Sequence, residues 1–171
     1  MAAVANGGTV VTPHIVKAVD EGQGWQPMAA PAPRSVFPIR PDVLGPVVDG
    51  LWMVVNGDRG TGSKARIAGH DVVGKTGTAQ VISDEGKRKA IAAGKGENLG
   101  DDSWFVFFAP KDNPQIAGAV FVEHGGHGGN TSAPIVRHVL DTYFAKQEGR
   151  ALPTLPVAVK VAPAATGGRD R

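Results

Sequence analysis

Apolar residues recur at helical spacing in one clear stretch, Val43, Leu44, Val47, Val48, Leu51, Trp52 and Val55. That pattern predicts an amphipathic helix, capped by Asp42 and ended by Asn56-Gly57. A second helical face, Ile135, Val136, Val139, Leu140, Tyr143 and Phe144, follows a Thr131-Ser132 capping pair and a first-turn Pro134. Between the two helices the pattern changes. Residues 71–82, 103–109 and 115–123 predict three strands of an antiparallel meander. The middle one, Ser-Trp-Phe-Val-Phe-Phe-Ala, is apolar on both faces, as a central strand covered by helices must be. Lys111-Asp112-Asn113 between two prolines makes the short turn that antiparallel neighbours need.

The flanks are less regular. Residues 1–6 read as a helix end stopped by Gly7-Gly8, and His14 to Val19 as a strand. Pro27 to Pro41, with five prolines, predicts an irregular connector. Ser83 to Asp102 holds four glycines and three lysines and is longer than a hairpin requires, so it is expected to be a functional overhang or a mobile tip. Beyond Gly149 an Ala/Pro/Val tail predicts disorder. The expected class is therefore α+β, an antiparallel sheet flanked by helices over residues 1–148, with a tail over 149–171.

Candidate chemistry concentrates in Gly74-Lys75-Thr76-Gly77-Thr78-Ala79-Gln80-Val81, which fits two incompatible sites. Gly69 to Thr76 has the spacing of a P-loop, whose backbone cradles phosphates ahead of a helix. Its flanks argue against nucleotide binding: a glycine would occupy the second helical position, and Thr76, Thr78, Val81 and Ile82 favour strand. As a strand, each residue of the triplet Lys75-Thr76-Gly77 has a task. Lys75 brings a positive charge to an anionic substrate terminus, and the Thr76 and Thr78 hydroxyls can donate to the same carboxylate. Gly77 lets an extended peptide lie against the strand, and the Thr78 N–H can serve as one oxyanion donor.

Further stretches stand around this triplet in a set order. They are Val4 to Thr9, Thr12-Pro13-His14-Ile15-Val16, Trp104 to Pro110, Asn113 to Ala117, Val122 to Gly126, and Ala133-Pro134-Ile135-Val136. In that order, over about residues 1–146, the chain resembles the C-terminal part of the transpeptidase domain of class B penicillin-binding proteins, in particular the elongation-type penicillin-binding protein 2 family. The resemblance implies a serine β-lactamase-like fold and acyl transfer from D-alanyl-D-alanine stem peptides of peptidoglycan. It gives catalytic parts to Lys75 and Thr78, and substrate contacts to Lys75, Thr76, Gly77 and Thr78. It further implies β-lactams as ligands, the cell-wall elongation machinery as partner, no cofactor, and a parent protein anchored at the periplasmic face of the inner membrane.

One departure bears on activity. In the family a Ser-x-x-Lys nucleophile motif and a Ser-x-Asn motif precede the Lys-Thr-Gly triplet. Here none of Ser35, Ser63, Ser83, Ser103 and Ser132 has lysine three positions on or asparagine two positions on. Met1 also falls where the resemblance places a helix interior. The expectation is a C-terminal piece of a longer enzyme, inactive alone for want of a nucleophile. A non-catalytic binding or assembly module is the alternative. Serine motifs encoded upstream in frame would separate the two.

Composition adds little. The 171 residues are 42% hydrophobic and 20% charged, with a net charge of +2, enough for one core. Lys64, Arg66, Lys87, Arg88, Lys89 and Lys95 lie among glycines and charges with few aromatics, which argues against nucleic acid. Zero cysteines exclude thiol chemistry, and no 18-residue apolar run appears. Glu123, His124 and His127 suggest a metal, but the surrounding glycines leave the backbone too permissive to preorganise a site, and a tight strand-to-helix connection explains them better. His70 and Asp71 read as a surface turn.

Overall fold

The computed structural model describes residues 1–94 and 99–155. The predicted tail from residue 156 onward, and Lys95, lie outside them. Helix α1 (Ala2–Ala5) leads into four two-residue strands, β1 (Thr9–Val10), β2 (Ala18–Val19), β3 (Gln26–Pro27) and β4 (Ser35–Val36). Helix α2 (Pro41–Asn56) and a 3-10 turn (Ser63–Ala65) precede β5 (Val73–Ala79). Helix α3 (Asp84–Ala92), β6 (Asp102–Ala109), β7 (Ile116–Val122) and α4 (Ser132–Glu148) complete the order. The main sheet is β5-β6-β7, antiparallel throughout, with β6 central.

The three-strand meander and both long helices match the sequence pattern, while the details move where local chemistry outweighs periodicity. Helix α2 starts two residues earlier than expected, at Pro41, with Arg40 rather than Asp42 as N-cap. Proline suits the first helical position, because its missing N–H would have no partner there. Asp42 sits in the first turn and holds Arg40, whose Nε donates to it at 3.0 Å. The strand expected over His14 to Val19 shrinks to β2, which pairs only with β3, and the proline connector contributes β4 to pair with β1. The segment after β5 is not simply a loop. Ser83 accepts the Gly86 N–H at 3.1 Å, Asp84 and Glu85 fill the first turn, and Glu85 pairs with Lys89 one turn on, giving a nine-residue helix.

The main core cluster lies on one face of the sheet, and Val73 and Phe108 are buried on the other. Phe105, Phe107 and Ala109 of β6 meet Val55 of α2, Ala65, Val72, and Ala133, Val136, Leu140 and Phe144 of α4. The Phe105 ring is held between two glycines: a Cβ on Gly74 would come within 2.5 Å of it and one on Gly62 within 2.9 Å. Ser103 and Ser132, both fully buried, bond each other at 2.6 Å and tie β6 to the start of α4.

Two expectations about faces are corrected here. Strand β6 is covered on both sides only at its Phe108 end, where Phe108 and its partner Val73 are buried; at the other end of that face Trp104 remains 39% exposed and packs against the exposed Phe121 at 4.5 Å between ring centroids. On α4, Ile135 and Val139 point outward, and the buried line is Ala133, Val136, Leu140 and Phe144. His70 and Asp71 are fasteners rather than a free turn. The His70 ring stacks on Phe144 at 3.7 Å with its Nε2 2.9 Å from Glu148, and Asp71 accepts the Trp52 indole N–H at 2.9 Å. The Glu148 carboxyl is held below its ordinary range, first by the hydrogen bond from Arg150 and further by the charges of Arg150 and His70.

Candidate active-site strand

Among the described residues strand β5 is an edge strand, paired with β6 on one side only. Its register sets Lys75 opposite Val106, Thr76 opposite Phe105, Gly77 opposite Trp104 and Thr78 opposite Ser103. Directly opposed residues share a face and successive ones alternate, so Gly74, Thr76 and Thr78 lie on the core side and Lys75 and Gly77 on the Trp104 side. Strand geometry runs unbroken through Gly74, Lys75 and Thr76. A phosphate loop needs a helix opening at that lysine. The P-loop reading therefore fails, and Gly74 is explained by the Phe105 ring against it.

Thr76 and Thr78 come together at a cavity of about 360 Å³, which they line with Thr61, His127, Gly128 and Asn130. The Thr76 hydroxyl is 2.9 Å from that of Thr61, and Thr78 Oγ1 is 3.5 Å from His127 Nδ1. Lys75 is not on this wall. It borders a separate hollow of about 790 Å³ with Trp52, Met53, Asn56 and Arg59, and its ammonium turns back to donate to the Thr76 carbonyl at 2.9 Å. That bond uses one of three ammonium protons, so the charge remains available at the strand.

The connection from β7 to α4 closes the small cavity, and it is firmly placed. Asn130 and Thr131 both donate backbone N–H groups to the His127 carbonyl, at 2.9 and 3.1 Å, and Thr131 Oγ1 donates to Gly125 O at 2.6 Å. A Cβ on Gly128 would lie 2.2 Å from Trp104 O and 2.6 Å from Gly77 O, and one on Gly129 2.2 Å from Thr61 O. Those glycines let the connection press onto the strand backbone. The tight strand-to-helix connection expected from these glycines is present, but the permissive backbone expected with it is not, since their missing side chains let the connection pack where His127 sits beside Thr78. His124 points elsewhere, with Nδ1 3.0 Å from Gly100 O, and among the described residues no three His, Cys, Asp or Glu side chains converge as a metal site. Thr61, His127, Asn130 and Lys64, whose Nζ donates to Asn130 Oδ1 at 2.9 Å, were not singled out from the sequence as neighbours of the triplet. Only the tertiary fold brings them there.

Gly128→Ala should therefore destabilise the fold by about 1–3 kcal/mol, because the added methyl meets backbone that cannot rotate away. Thermal unfolding of the variant checks this. A melting temperature equal to that of the unsubstituted chain would contradict the close packing.

The chain's sequence and fold are shared with a known class. Residues 1–141 match the family described as penicillin binding protein transpeptidase domain. The chain belongs to that family. The peptidoglycan D,D-transpeptidase MrdA of Haemophilus influenzae is 38% identical over 149 residues, covering 82% of this chain and 22% of that protein. The Escherichia coli K12 protein of the same name is 30% identical over 158 residues, covering 92% of this chain and 25% of that one. Among solved structures, Pseudomonas aeruginosa PBP2 in complex with WCK 5153 aligns with TM-score 0.65 at 35% identity, over 87% of this chain and 29% of that one. The D,D-transpeptidase domain of an Eggerthella lenta peptidoglycan glycosyltransferase gives TM-score 0.65 at 32% identity, over 85% and 30%. The chain is thus of the PBP2/MrdA type and spans about a fifth to a quarter of the length of these curated relatives.

Proposed function

We propose that this chain supplies the carboxylate-binding strand of a peptidoglycan D,D-transpeptidase that acts in cell-wall elongation at the periplasmic face of the inner membrane. Residues 1–148 form the C-terminal portion of the transpeptidase domain, and a serine motif outside these 171 residues supplies the nucleophile. The observation that carries the reading is the edge strand itself: a flank beside Gly77 that no strand pairs among the described residues, two hydroxyls on one wall at Thr76 and Thr78, and a lysine charge on the same strand.

The chemistry follows from those groups. A stem peptide ending in D-alanyl-D-alanine lies along the free edge of β5, where Gly77 presents no side chain. Thr76 and Thr78 donate to its terminal carboxylate, and Lys75 adds positive charge at the same strand. The Thr78 N–H faces the scissile carbonyl as one oxyanion donor, stabilising charge that develops only as the serine attacks. The acyl group then passes from serine to an amine on a neighbouring peptidoglycan strand. β-Lactams enter by the same contacts; the ceftriaxone acyl-enzyme complex of Mycobacterium tuberculosis penicillin-binding protein A supports β-lactams as ligands. Among the described residues no helix is long and apolar enough to cross a membrane, so the anchor is assigned to the parent protein on the strength of the resemblance.

Fluorescent penicillin tests the reading. The isolated 171-residue chain should take no covalent label, since covalent capture needs an activated nucleophile, whereas the same segment within a complete transpeptidase domain should be labelled. Labelling of the isolated chain, or none of the complete domain, would refute the division of labour.

A further inference from the structure

We propose that Thr61 and His127 are positioning residues: each donates a hydrogen bond to a strand hydroxyl, Thr61 to Thr76 and His127 to Thr78, and so turns both hydroxyl protons toward a bound carboxylate. The inference rests on the carboxylate-binding reading of β5 given above and names what makes that site selective.

A threonine hydroxyl has one proton and two lone pairs. If Thr76 gives its proton to Thr61, nothing is left to donate to an anion; if it accepts from Thr61, its own proton is free. The pair stands at 2.9 Å with either oxygen able to donate, so an arriving carboxylate selects the productive sense. The same logic holds for Thr78, where His127 Nδ1 must carry a proton to leave the Thr78 proton for the ligand. At 3.5 Å this contact is at the long end of a hydrogen bond, and a carboxylate bound to Thr78 would draw the two groups together. Each hydroxyl that accepts one bond while donating another is polarised by it and donates more strongly.

Both supporting groups sit on backbone that cannot drift. Gly129 presses on the Thr61 carbonyl and Gly128 on Gly77 and Trp104, while the His127 carbonyl accepts the N–H groups of Asn130 and Thr131, just ahead of α4. Among the described residues the cavity wall carries no carboxylate, and Lys64 stands behind it through Asn130. The wall is built to receive negative charge. Neither Thr61, in the loop after α2, nor His127, in the loop after β7, belongs to the Lys-Thr-Gly triplet.

The test is stopped-flow acylation of the complete transpeptidase domain by benzylpenicillin and by its methyl ester, which lacks the anionic carboxylate. Thr61→Val and His127→Phe should each slow acylation by the acid about 5–10-fold at low ligand concentration, the loss of one hydrogen bond to a charged group. The loss should lie in ligand binding, with the limiting acylation rate little changed. Acylation by the ester should be the same in all variants. Thr61→Ser and His127→Asn retain a donor and should restore most of the rate with the acid; should His127→Phe fail to fold, His127→Ala takes its place. Equal losses with acid and ester, or no loss with either while the unsubstituted domain still prefers the acid, would overturn the positioning role alone. An unsubstituted domain with no preference for the acid would overturn the carboxylate reading of β5, and this role with it.

Discussion

Lys75→Ala, made in the complete transpeptidase domain, is expected to slow acylation by benzylpenicillin about 10–100-fold and leave the fold intact. The side chain is exposed and its one bond is to a neighbouring carbonyl, so stability should move by no more than about 0.5 kcal/mol. What is lost is a charge beside an anionic ligand. That charge acts from the face opposite the two threonines rather than through a direct bond, and a loss of about 1.4–2.7 kcal/mol of transition-state stabilisation corresponds to that range in rate. Thr78→Val should cost less, about 5–10-fold, because the backbone N–H offered to the oxyanion survives. Stopped-flow acylation with a parallel melt decides the matter. An unchanged rate for Lys75→Ala would remove the lysine from the site.

Phe105→Ala is expected to cost about 3–5 kcal/mol, at the upper part of that range, against a total stability of roughly 5–15 kcal/mol for an ordinary domain. The ring is fully buried, and its two flanks are Gly62 and Gly74. Neither has a side chain that could swing into the space, so the cavity stays open. Loss of Phe121, which is 44% exposed at the open end of the opposite face, should cost far less. Urea unfolding of the two variants side by side tests the comparison; similar midpoints would place the core on the wrong face of the sheet.

The long elements were legible because burial wrote their period into the chain: the apolar line of α2, the continuous apolar run of β6, and the turn between two prolines. Boundaries were less so. Arg40 caps α2 because Pro41 prefers the first turn, a local preference that the apolar spacing of α2 does not register. Strand His14 to Val19 was overread, since only Ala18 and Val19 find a partner. Helix α3 was missed because its composition is polar and glycine-bearing, and its signal is the Ser83 cap with acids behind it rather than an apolar face.

At the site, sequence identified the triplet but not its surroundings. Alternation along β5 already implied that Lys75 and the two threonines take opposite faces, a consequence only the register with β6 made concrete. Thr61 and His127 lie 15 and 49 positions from their hydroxyl partners, and no spacing rule connects residues so far apart. The glycines at 128 and 129 carried the missing information, because each marks a point where the connection after β7 touches another backbone.

The most direct measurement of the central claim is a crystal structure of the complete transpeptidase domain acylated by benzylpenicillin. The account predicts the ligand carboxylate within hydrogen-bond distance of Thr76 Oγ1 and Thr78 Oγ1, and the acyl carbonyl oxygen on the Thr78 N–H. A carboxylate bound away from β5, with both hydroxyls still paired only to Thr61 and His127, would contradict it.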